Sequence, residues 1–64
     1  MNVKLARIKA RLTQAQLCML AKISPRKLVD VEKGNYDILT LANMKAISAA
    51  LGVSIQELFF SEEH

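Results

Sequence analysis

TQAQLCMLAKISPRKLVDVEKG, residues 13 to 34, decides how this chain folds. Thr13 stands three residues before Gln16, a spacing that lets the two residues satisfy each other's backbone amides and so opens a helix. Leu17, Cys18 and Ala21 give that helix a buried stripe, and it runs to about Lys22. Ser24 followed by Pro25 is a second start signal. The serine hydroxyl accepts from an orphaned amide, and proline at the first helical position lacks only an N–H that had no partner. The next helix covers about Pro25 to Lys33, with Leu28 and Val31 inward, Val29 ambiguous, and Arg26, Lys27 and Asp30 on the other side. Gly34 ends it, because glycine accepts the left-handed conformation common just past a helix end.

Only Ile23 and Ser24 lie between these helices, too short a link for antiparallel packing, so the pair must cross steeply. That crossing is the helix-turn-helix arrangement, whose second helix is suited to the major groove of DNA. Cys18 fits it, since a small side chain is needed where the helices touch, and it reads as inert packing.

Working outward, Val3 to about Arg11 forms a first helix that places Val3, Ala6 and Ala10 toward the core, with Leu5 and Ile8 as further candidates and Lys4, Arg7, Lys9 and Arg11 interleaved. Asn35, Tyr36 and Asp37 read as an exposed loop. Thr40 caps a fourth helix, about Leu41 to Leu51, in which Leu41, Met44, Ile47 and Leu51 recur at helical steps, and Gly52 stops it. Ser54 and Glu57 form another capping box, opening a short fifth helix that carries Leu58, Phe59 and Phe60. The polar residues Ser61 to His64 read as a frayed tail. The expected fold is all-α, five helices in one domain spanning 1–64.

Composition agrees. Hydrophobic residues make up 52% of the 64, which argues against disorder, and scarce aromatics, glycine and proline favour helices over a sandwich or barrel. Cys18 is the only cysteine, which excludes an internal disulfide and any zinc-ligand spacing and suits a reducing compartment. Neither a signal peptide nor a stretch of about 18 apolar residues is present, so a cytoplasmic protein is expected. His64 is the only histidine and no phosphate-binding glycine loop occurs, so the chain reads as neither an enzyme nor a holder of cofactor or metal. Charge is uneven: residues 1–33 carry a net +6 and residues 34–64 a net −3. A basic half on an acidic half suggests one face that meets a polyanion.

The run Leu12-Thr13-Gln14-Ala15-Gln16-Leu17-Cys18, Ile23-Ser24, Leu28, Val31-Glu32-Lys33-Gly34, then Ala50-Leu51-Gly52-Val53-Ser54 with Glu57-Leu58-Phe59, resembles the phage-repressor (Cro/Xre, lambda-repressor-like) helix-turn-helix family over nearly the whole chain. The resemblance implies a DNA-binding transcriptional regulator with the helix beginning at Ser24 and Pro25 in the major groove. It implies that Gln14 holds a DNA phosphate through side chain and amide, that Pro25, Arg26, Lys27 and Asp30 face base edges and backbone, and that Arg7 and Glu32 pair. Chemistry supplies reasons. Arg26 has the donor fork that suits guanine O6 and N7, and Lys27 serves the same atoms or a phosphate. Asp30 either accepts from cytosine N4 or orients Arg26 or Lys27, the second being the stronger reading. The helix starts at Thr13 and Ser24 offer amides to phosphates, with Lys33, Asn35 and Tyr36 on the flank. Two positions depart from the family: Lys22 stands where glycine is usual, at a cost of about 1 kcal/mol if left-handed, and Pro25 replaces a polar residue that commonly contacts bases.

A lone domain of this size grips DNA weakly, so a homodimer reaching two half-sites is expected. Leu58, Phe59, Phe60 and Ile38, with Leu39, are the expected interface, because three consecutive apolar residues on one short helix cannot all face one core. Met19 and Leu20 sit where related sequences usually carry charge; packing against the first helix through Ile8 is the favoured reading. The rival function is a protein-binding module of the same fold, an antitoxin or anti-repressor.

Overall fold

In the computed structural model, which describes residues 2–60, every helix starts on a side-chain oxygen. The helices are α1 (Val3–Lys9), α2 (Gln14–Ala21), α3 (Pro25–Glu32), α4 (Leu41–Leu51) and α5 (Ile55–Phe59). Asn2, Thr13, Ser24, Thr40 and Ser54 accept from the amides of Leu5, Gln16, Lys27, Asn43 and Glu57. Each such cap is worth about 1 kcal/mol, a large share of the stability of helices only 5 to 11 residues long. The tail at 61–64 lies outside the described residues.

Two boxes close fully. Thr13 N donates to Gln16 Oε1 (2.8 Å) while Gln16 N donates to Thr13 Oγ1 (3.0 Å). Thr40 and Asn43 do the same at 3.1 and 3.0 Å. The box expected at Ser54 is half formed: Glu57 N reaches Ser54 Oγ, but the Glu57 carboxylate lies 3.5 Å from that same hydroxyl and leaves the Ser54 amide alone.

The ends of α1 to α4 share one device. Leu12 N donates to Arg7 O, Ile23 N to Cys18 O, Asn35 N to Asp30 O and Val53 N to Ser48 O, each closing over a left-handed residue at Arg11, Lys22, Gly34 or Gly52. This is the αL stop in which a residue past the end satisfies a last-turn carbonyl. Arg11, with φ 60°, therefore ends α1 earlier than its apolar pattern suggests: the helix stops at Lys9, and Ala10, expected inward, is an exposed cap.

α2 packs against α3 and α4, α4 against α5, and α1 against α3 and α5. Leu17, Leu28, Ile47, Val3 and Val31 are fully buried where these helices meet, each contributing roughly 1.5–3 kcal/mol. Several expected core or patch residues lie elsewhere. Leu5 and Ile8 are exposed because Val3 and Ala6 turn the opposite side of α1 inward. Leu41 is exposed, lying about 90° around α4 from the mean direction of Met44, Ile47 and Leu51 at about 100° per residue. Met19 (76% exposed) and Leu20 do not pack on α1 through Ile8; Leu17, Cys18 and Ala21 claim the buried side of α2, and all three of Met19, Leu20 and Ile8 face outward. Leu58, Phe59 and Leu39, expected at a dimer interface, belong to the core, with the Phe59 ring meeting Tyr36 edge-on at 5.1 Å.

Candidate nucleic-acid interface

The outward face of α3 follows from what the inward face consumes. Leu28 and Val31 are buried and Glu32 is half-buried, so at about 100° per residue Pro25, Arg26, Val29 and Lys33 point away from the protein, with half-buried Asp30 at the edge. Arg26 is exposed and has no ion pair or side-chain hydrogen bond among the described residues. Val29, 38% exposed, lies one turn beyond it and adds an apolar surface between two cations. Sequence periodicity left Val29 undecided because valine suits either face.

Lys27 is placed differently. It is half-buried and its Nζ donates to Asn43 Oδ1 on α4 at 3.0 Å. Asp30 makes neither of the pairs expected of it with Arg26 or Lys27 among the described residues. No local spacing could have indicated the Lys27–Asn43 contact, since the two stand sixteen positions apart and are brought together only because α2 packs against both α3 and α4.

Three helices are tied together behind this face. Arg7 Nε donates to Glu32 Oε2 at 2.7 Å, and another Arg7 nitrogen donates to the Leu12 carbonyl at 2.8 Å. Gln14 Nε2 donates to the second Glu32 oxygen at 2.9 Å. Glu32 thereby joins the end of α3 to α1 and to the first residue of α2. Gln14 keeps a backbone amide with no protein partner among the described residues, as does Ala15, while the Thr13 amide is taken by its box. At α3, Pro25 has no N–H and the Lys27 amide is held by Ser24, which leaves the Arg26 amide.

The flank carries Lys33 and Asn35, both exposed, and Tyr36, half-buried. Burial pushes the Tyr36 phenol above its ordinary value, and burial with the nearby Glu32 charge does the same to the Cys18 thiol. A thiol held protonated is a poor nucleophile. Among the described residues no group of three His, Cys, Asp or Glu side chains could hold a metal ion, and no helix is long and apolar enough to cross a membrane.

A family model described as helix-turn-helix matches residues 3–58. The chain belongs to the Cro/C1-type helix-turn-helix family. No curated protein and no solved structure matches it. As a helix-turn-helix domain of this type it is a DNA-binding transcriptional regulator with an all-α fold, and α2 and α3 are its motif helices.

Proposed function

We propose that this protein is a sequence-specific transcriptional repressor, acting in the cytoplasm by occupying operator DNA as a homodimer and not by catalysis. The observation that carries this reading is Arg26: a guanidinium with no partner among the described residues, at the start of an outward-facing helix backed by buried Leu28 and Val31. Arginine in that setting donates in parallel to guanine O6 and N7. Val29 then meets a neighbouring thymine methyl, the apolar contact that the major groove offers. Pro25 and Asp30 border this reading face. Gln14, with the amides at the start of α2, Ser24 and the Arg26 amide at the start of α3, and Lys33, Asn35 and Tyr36 on the flank hold the phosphates.

Size supports two copies. The longest extent of the domain is 29 Å, shorter than the roughly 34 Å between successive major grooves on one side of the duplex. One copy therefore covers one half-site. The apolar side chains for joining two copies are Phe60 (64% exposed) and Ile38, both left exposed while their neighbours Phe59 and Leu39 are taken into the core.

Titration of duplex DNA with the protein at several salt concentrations tests the function. The logarithm of the binding constant is expected to fall linearly with the logarithm of salt, as counterions leave the phosphates. Salt-insensitive binding, or association only with a protein, would instead favour the antitoxin or anti-repressor reading.

A further inference from the structure

Lys27 is adjacent to Arg26 in sequence but not in direction. It projects about 100° around the helix from Arg26, toward the side that carries Leu28 and Val31, and its stem is half-buried there. Its ammonium is fixed by Asn43 Oδ1 at 3.0 Å, and that oxygen also accepts the Thr40 amide at 3.1 Å. Both lone pairs of the oxygen are in use, so the side chain of Asn43 is locked from two sides. Among the described residues Asn43 is the one side-chain partner of that ammonium, so two of its three protons are left for a ligand.

A helix lying in the major groove meets base edges along its outermost line and phosphates along its flanks. Lys27 is held on the α4 flank. To reach the base edges below Arg26 it would have to abandon Asn43 and swing around α3. We propose that Asn43 is a positioning residue that commits Lys27 to a backbone phosphate on the α4 side of the groove, leaving base discrimination to the Arg26 face. This inference rests on the DNA-binding reading above, and of the two roles the sequence left open for Lys27, base atoms or a phosphate, it selects the phosphate.

The test is a double-mutant cycle read as DNA affinity on a selected operator and on a scrambled duplex, using wild type, Lys27→Ala, Asn43→Ala and the double variant. Lys27→Ala should weaken both duplexes alike, keep the operator-to-scrambled ratio, and lower the salt slope by about 0.9, the value of one phosphate contact. Asn43→Ala should weaken both about three- to tenfold, because the freed lysine must be ordered on binding. That loss should vanish in the Lys27→Ala background. An Asn43→Ala loss that persists there would assign Asn43 to the α4 cap alone and overturn the proposal. So would a Lys27→Ala ratio that collapses, which would make Lys27 a base reader. Should Asn43→Ala unfold, Lys27→Ala, which leaves the Thr40 cap intact, still decides the phosphate assignment through its slope and ratio. A wild type that binds no duplex in a salt-dependent way would overturn the DNA-binding reading itself, a result distinct from both others.

Discussion

Arg7 and Glu32, twenty-five positions apart in sequence, meet at 2.7 Å between α1 and the last residue of α3, with side chains only 12% and 6% exposed. An ion pair this dry is not worth much as a replacement for apolar packing, but breaking it strands a charge. Arg7 also holds the Leu12 carbonyl, and Glu32 also holds Gln14, so the pair fixes the entry to α2 as well as the end of α3. α3 is thereby tied to the scaffold at its far end.

Glu32→Ala should therefore destabilise the domain by about 3 kcal/mol, the cost of leaving a partly buried arginine unpaired. Urea unfolding of the variant checks this, and a loss under about 1 kcal/mol would show that solvent reaches Arg7 freely.

Lys22 holds φ 56° and ψ 45°, a left-handed turn between α2 and α3. Lys22→Gly should raise stability by about 0.5–1 kcal/mol, since the Cβ strain removed exceeds the added entropy of the unfolded chain. Thermal unfolding would record a higher midpoint with the same cooperativity; a lower midpoint would mean that the lysine side chain contributes more than its backbone strain costs.

These left-handed stops show where the sequence was legible. Gly34 and Gly52 announce theirs, and Lys22 is identified through the family resemblance, but Arg11 carries no local mark and α1 consequently looks two residues longer than it is. Helix starts were clear at Thr13, Ser24 and Thr40 because hydroxyl caps act within three residues. The rotation of α1, which turns Leu5 and Ile8 outward, is set by α3 and α5 and has no local signal. The same holds for the Tyr36–Phe59 contact, which takes Phe59 out of the expected interface, and for Lys27, whose direction is set by Asn43.

Cys18 and Tyr36 both have raised pKa values in the folded protein, Cys18 chiefly through burial with the Glu32 charge adding to it, Tyr36 through burial. An acid whose folded pKa is raised contributes stability that is complete below its unfolded value and declines as pH rises through the folded one. Unfolding free energy should accordingly fall above the ordinary values of 9.0 for the thiol and 10.0 for the phenol. Cys18→Ala should remove the earlier part of that decline. A variant whose alkaline profile matches wild type would show that the thiol ionises alike in both states.

If α3 reads DNA as proposed, Val29 makes a thymine contact that DNA chemistry can switch off without touching the protein. Replacing the thymine it meets by uracil removes one methyl group, and binding should weaken by up to about 1 kcal/mol, near the worth of a buried carbon. Val29→Ala should show little further loss on the uracil duplex. Equal losses from Val29→Ala on both duplexes would place the valine away from that methyl.

Phe60→Ala bears on assembly. Sedimentation of wild type and variant at matched concentrations should show a weakened dimer in the variant; an unchanged dimer, or monomers throughout, would remove the Phe60 and Ile38 surface as the join.

The most direct measurement is competition binding of wild type and Arg26→Ala on an operator selected from random duplexes and on its scrambled counterpart. The account predicts that the substitution reduces the operator preference by about 1–3 kcal/mol while the scrambled duplex loses much less. Equal loss on both would contradict it, leaving Arg26 as one more phosphate contact and α3 without its principal reader.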